Sequence, residues 1–214
     1  MNIIILSLIG AVIILDKYAI GEFGFSQPVI AGTIIGALFG NATQGIFLGG
    51  IFQLLFLGGL PIGRDIPPDG QAAGIVCCGS YFLLNKSNPT DKALLLACVF
   101  GLLASIIGGA LEIATRKFNE KLYHQFLRNE DCLSRCHLAG ILTAFARGFI
   151  LFLPFYILAM VITLPEIFPS LSQKCLMIIG MGLGLANGIN LFMKKENLTY
   201  GIMGVLCGLA LLVF

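Results

Sequence analysis

The sequence predicts an all-α polytopic membrane protein with about six to eight hydrophobic segments, including broken or re-entrant helical hairpins. Three observations carry that prediction. The chain is 57% hydrophobic and 11% charged, with a mean hydropathy of +0.95, whereas a soluble domain carries about 25% charged residues. Residues 23–63 contain no Asp, Glu, Lys or Arg. As one helix that run would be about 60 Å long, roughly twice a bilayer's hydrocarbon core, so it must break. Asn41-Ala42-Thr43-Gln44 lies near its middle, between Gly40 and Gly45. The run ends in Gly63-Arg64-Asp65-Ile66-Pro67-Pro68-Asp69-Gly70-Gln71, after which apolar sequence resumes. Short segments meeting at Gly and polar residues survive at membrane depth only where protein or a water-filled cavity satisfies their backbone.

Taken in order, Asn2 to Leu15 is a short apolar first helix ending at Asp16 and Lys17, with Lys17 able to snorkel. Glu22 to Pro28 is a connector, and Pro28 suits the first turn of the next helix. Ile30 to Gly40 and Ile46 to Leu60 are the two short pieces of the broken run. Gly32, Gly36 and Gly40 recur every fourth residue, as do Gly45 and Gly49, which lets another backbone approach closely. Such faces pack either within or between subunits. Ala72 to Leu84 is a further short segment, and Asn85 to Lys92 a polar turn. Ala93 to Leu111 is a span, followed by a charged loop at about 115–137. Leu138 to Leu164 and Cys175 to Met193 are spans, and Asn197 to Phe214 is the last. The whole chain, 1–214, reads as one membrane domain. Residues 1–84 form its N-terminal helix and hairpin region, and 93–214 its further helices.

A net charge of +2, with the charges in loops, excludes nucleic-acid binding. Arg116, Lys117, Lys121, Arg128 and Arg135 place the 115–137 loop in the cytoplasm, and Lys194 and Lys195 then fall inside too. The C-terminus is expected outside, and no cleavable signal is expected. The cysteines are odd in number and match no disulfide framework. Cys132-Leu133-Ser134-Arg135-Cys136-His137 looks superficially like a metal site but offers too few ligands. No metal and no cofactor is expected.

Ionisable residues within membrane segments are costly and therefore functional candidates. The hairpin offers Arg64, Asp65 and Asp69, with Gln53 upstream and Gln71 just beyond. A sugar needs several side chains that accept from its hydroxyls, and Asp69, Gln53, Asp65, Gln71, Asn41 and Gln44 are the right types. An ordinary interfacial pair of Arg64 and Asp65 beside a plain turn fits the same residues equally well. Arg147 lies inside an apolar span, where it either snorkels to the cytoplasmic side or meets substrate. His137 stands at the edge of the charged loop. No nucleophile–base pair, Walker loop or zinc motif is visible.

The pattern Phe23-x-x-Ser26-Gln27-Pro28-x-x-x-Gly32, then Gly36 and Gly40-Asn41-x-x-x-Gly45, resembles the integral-membrane IIC subunit of the mannose/fructose/sorbose family of sugar phosphotransferase systems. The resemblance continues through Gly49-Gly50-x-x-Gln53-Leu54, Leu60-Pro61-x-Gly63 and Ile66-Pro67-Pro68-Asp69, then Arg116, Asn119, Leu122, His137 and Arg147. It implies a multi-pass subunit of the bacterial inner membrane that forms a sugar permease with a IID subunit. A IIB subunit, itself phosphorylated by IIA, passes phosphate to the incoming hexose or amino sugar. The IIC chain carries no phosphorylated residue and is not by itself an enzyme. An oligomer is implied, and Asp69 is the leading substrate contact. Two departures stand out: the family usually has a carboxylate at Gln53 and often an aspartate at Asn41. They motivate a rival reading, a non-transporting scaffold or sensor that keeps the IIC fold.

Overall fold

The computed structural model describes residues 2–59, 68–128, 130–192, 199 and 202–204. Within them the chain is helical: α1 (Ile3–Leu15) runs into a π-helical turn (Asp16–Ile20), followed by α2 (Pro28–Leu38), α3 (Ala42–Leu55), α4 (Gly70–Leu84) and α5 (Thr90–Arg128). A 3-10 turn (Glu130–Cys132) leads to α6 (Leu133–Val161) and α7 (Gln173–Phe192). Among the described residues, four stretches are long and apolar enough to cross a membrane: Ile3–Ile20, Thr90–Arg128, Leu133–Val161 and Gln173–Leu191. The all-α polytopic expectation holds. The expected last span, 197–214, lies outside the described residues except at 199 and 202–204.

Between α1 and α2 the backbone turns sharply, with Gly21, Glu22 and Gly24 at positive φ. Asp16 closes this turn. Its carboxylate accepts the N–H groups of Phe23 (2.7 Å), Gly24 (3.0 Å) and Ser26 (3.0 Å). Those donors precede a helix whose first residue, Pro28, needs none of its own.

The charge-free run breaks where the sequence placed the break. Helix α2 stops at Leu38, Gly40 takes φ +79°, and the Asn41 side chain caps α3 by accepting the Gln44 N–H at 3.0 Å. At about 17 and 21 Å, α2 and α3 are too short to cross a bilayer alone. They pack as a pair through Gly32, Gly36, Gly45 and Gly49. A Cβ on Gly45 would collide with the Gly32 carbonyl, and one on Gly49 with the Pro28 carbonyl. Among the described residues, the glycine repeat therefore serves packing within this chain.

Helix α4 is buried from Gln71 to Leu84 and forms the centre of the domain. A helix buried on all sides needs no polar face, which explains why its sequence carries no amphipathic stripe. Helix α7 packs on α3, with Gly180 over Ile51 and Gly184 over Leu54. Asn187 donates to the carbonyls of Leu54 and Leu55, both at 2.9 Å, satisfying acceptors that the end of α3 leaves free.

One boundary expectation needs correction. The 115–137 stretch is helix for most of its length: α5 continues to Arg128 and α6 begins at Leu133. Residues 110–128 contain no Gly or Pro and are rich in Ala, Leu, Glu, Lys and Arg, all good helix formers. Charge marks where a helix leaves the bilayer, not where it ends.

Candidate functional site

The site forms where the π-helical turn, the start of α4, and the middles of α5 and α6 converge. Asp69 is the N-cap of α4, and its carboxylate accepts the Ala72 N–H at 3.2 Å. Its own N–H donates to the Ser105 carbonyl of α5 at 2.9 Å. Gly108 permits this close approach, since a Cβ there would lie 2.9 Å from the Asp69 Cβ. Asp69 is completely buried. Besides Ala72, three side chains donate to it: Lys17 Nζ at 3.1 Å, Tyr18 Oη at 2.8 Å and Arg147 Nη2 at 2.8 Å.

Glu112 of α5 is the second carboxylate. It pairs with Arg116 one turn away, whose Nε donates at 3.1 Å, and lies 3.0 Å from Tyr18 Oη. Arg147 also donates to the Gly108 carbonyl at 2.7 Å, and its guanidinium lies 4.0 Å from the Tyr18 ring centroid. Two acidic side chains are thus held among Lys17, Arg116 and Arg147. A carboxylate offers about four acceptor positions, and the four donors on Asp69 occupy them. Removing one partner from such a buried pair strands a charge.

Beside this cluster opens a cavity of about 540 Å³, within the range of small-molecule sites. Lys17, Tyr18 and Glu112 line it, as do the three glutamines Gln27, Gln53 and Gln71. Gln53 Nε2 donates to Gln27 Oε1 at 2.9 Å. Gln53 Oε1 and Gln71 Oε1 are buried without any hydrogen-bond partner. Unpaired buried acceptors are costly, and a ligand that donates hydrogen bonds relieves that cost.

The structure divides the residues singled out from the sequence. Gln53 and Gln71 line the cavity, and Asp69 lies behind its wall rather than on it. Arg147 neither snorkels nor faces the cavity; it is buried on Asp69. Asn41 and Gln44 do not join the site. They sit at the other end of α3, about 14 Å (Gln44) and about 18 Å (Asn41) along the axis from Gln53, and Gln44 Oε1 accepts from Gln173 Nε2 at 2.9 Å. Arg64 and Asp65 lie outside the described residues. His137 lines a second cavity of about 320 Å³ together with Tyr18, Asn119 and Cys136.

Lys17, Tyr18, Gln27 and Glu112 were not singled out by sequence reasoning. Lys17 reads as a helix boundary, and Glu112 falls between the span ending at Leu111 and the charged stretch from about 115. The signal was nonetheless present: both are ionisable residues abutting apolar runs, and Glu112 sits four residues before Arg116. Among the described residues, no group of three or more His, Cys, Asp or Glu is placed to hold a metal ion. The arrangement suits non-covalent binding of a hydroxyl-rich neutral ligand.

A family model described as the PTS system sorbose-specific IIC component matches residues 1–213. The PTS system mannose-specific EIIC component of Escherichia coli (strain K12) is 38% identical over 55 residues, covering 26% of this chain and 21% of the relative. The PTS system sorbose-specific EIIC component of Klebsiella pneumoniae shows the same identity and coverage. These matches span about a fifth of the length of the curated relatives. The cryo-EM structure of the mannose transporter ManYZ with microcin E492 superposes with a TM-score of 0.57 at 23% identity, over 96% of this chain and 84% of that one. A structure described only as a membrane protein superposes at 0.68, with the same identity and coverage. Both share the fold.

Proposed function

Because the chain belongs to the sorbose-specific IIC component family of the phosphotransferase system, we propose that it is the sugar-translocating membrane subunit of a phosphoenolpyruvate-dependent permease. It works in the bacterial inner membrane with a IID subunit, as one membrane domain over 1–214, and assembles as an oligomer. A IIB subunit, charged by IIA, phosphorylates the sugar, a hexose or amino sugar. The IIC chain supplies binding and passage, not phosphoryl transfer.

The observation that carries this reading is the glutamine wall. Gln53 and Gln71 line one cavity of about 540 Å³, and each carries a buried amide oxygen, Oε1, that has no hydrogen-bond partner. Sugar hydroxyls donate to them, while Lys17 and Glu112, which line the same cavity, supply a donor and an acceptor. Alternating access follows if sugar binds the two states unequally, since a ligand shifts an equilibrium only by its differential affinity. The glycine-locked α2–α3 pair is suited to move as one body.

Uptake of radiolabelled hexoses and amino sugars tests the reading. Vesicles hold this chain with its IID subunit and the soluble components, with and without phosphoenolpyruvate. Sugar phosphate that accumulates only with phosphoenolpyruvate supports the permease and names its substrate. Accumulation of free sugar would instead mean a carrier independent of phosphotransfer.

One observation favours a second reading. Asp69, the residue that the family resemblance points to as a substrate contact, has its acceptor positions filled by the protein's own donors and lies off the cavity wall. Together with an amide at Gln53, this suits a scaffold or sensor that binds its partners without turning sugar over. An intact complex with no uptake supports that reading.

A further inference from the structure

The Cys132 and Cys136 thiols do not line the cavity that holds Gln53 and Gln71, and they face each other. Their Sγ atoms lie 3.2 Å apart, and both residues are half-buried. Cys132 is the N-cap of α6 but makes no side-chain capping hydrogen bond, so its thiol is committed to no structural role there. Its backbone lies outside the helical region (φ −87°, ψ 3°). The sulfurs need to close by only about 1 Å to reach bonding distance. Cys136 also lines the second cavity beside Tyr18, Asn119 and His137, which gives a small molecule a route to the sulfur. The buried thiols Cys77 and Cys78 have no such exposure.

We propose that Cys132 and Cys136 form a reversible dithiol site, oxidised to an intramolecular disulfide by low-molecular-weight disulfides. One protein thiolate attacks a sulfur of the small disulfide, whose S–S bond breaks; one small thiol leaves and a mixed disulfide forms. The second protein thiolate attacks the protein sulfur of that mixed disulfide and expels the second small thiol. The two protein protons end on the two released thiols, and the two electrons reduce the small disulfide. The pair lies in the stretch whose Arg and Lys residues predict a cytoplasmic position, so it rests reduced and responds when the thiol pool is oxidised. The bond ties the capping residue of α6 to its first turn on the wall next to Tyr18. This inference stands apart from the sugar reading.

The sequence supplies its own assay. Arg128, Arg135 and Arg147 make residues 129–135 and 136–147 separate tryptic peptides, each with one cysteine. The full chain in membrane vesicles is equilibrated with reduced and oxidised glutathione in varied ratio, blocked with N-ethylmaleimide, digested and analysed by mass spectrometry. The two peptides should appear as one linked pair that grows with the oxidised fraction and disappears with dithiothreitol. In Cys132→Ser, and equally in Cys136→Ser, the remaining cysteine should carry glutathione instead. Wild-type peptides that stay singly blocked at every ratio would overturn the proposal. So would glutathione held separately on each cysteine, or links joining two identical peptides from different copies.

Discussion

Asp69 and Gln71 are two residues apart and sit in opposite chemical situations. Asp69 is fully buried, with four donors on its carboxylate and none of its surface in the cavity. Gln71 is buried too, yet its Oε1 has no partner and it lines the cavity. The charged group is satisfied by the protein; the neutral one waits for a donor from outside. A buried charge left open would carry a desolvation cost of several kcal/mol in the empty state, whereas an open amide oxygen costs about 1–3 kcal/mol. We propose on this basis that the charge organises the site and the amides meet the ligand.

Substitutions at the two places should therefore fail in different ways. Asp69→Asn removes the charge that Lys17 and Arg147 face. It should cost about 3–5 kcal/mol of stability, read as a lower melting temperature of the solubilised protein; unchanged melting would deny Asp69 its organising role. Gly45→Ala drives a methyl into the Gly32 carbonyl and should cost about 1–3 kcal/mol. The same melting assay checks it, and a neutral result would mean that the α2–α3 pair is looser than its contacts indicate. Gln53→Leu removes one acceptor and the amide that donates to Gln27 Oε1, so it should weaken sugar binding by about five- to tenfold with only a small fall in melting temperature. Equilibrium titration with the transported sugar decides that. Asn41→Gly sits outside the cavity at a helix cap, and should cost only a few tenths of a kcal/mol and leave sugar affinity unaltered. A change in affinity there would bring the far end of α3 back into the site.

Much of the fold was legible because membrane insertion imposes coarse rules. A charge-free run too long to be one helix had to break, and Asn41 beside Gly40 marked the place. The end of α5 was not legible from charge, because Arg116, Lys117 and Lys121 continue a helix as readily as they form a loop. In the site, Gln53 and Gln71 were found through their residue type. Lys17, Tyr18 and Glu112 were not, since their meeting depends on α1 packing beside α6 and on a π-helical turn. Local sequence does not encode that convergence. Asn41 and Gln44 misled for the converse reason: the right residue types serve equally well as a cap and as a link between helices.

The central claim is that sugar is held by the glutamine wall. Its most direct test is the concentration dependence of phosphoenolpyruvate-driven uptake by wild type and Gln53→Leu in the same assembled vesicles. The account predicts sugar phosphate in both, with the half-saturating concentration raised about five- to tenfold in the variant and the amount of assembled complex unchanged. Identical curves for the two proteins, or no uptake by an intact wild-type complex, would contradict it.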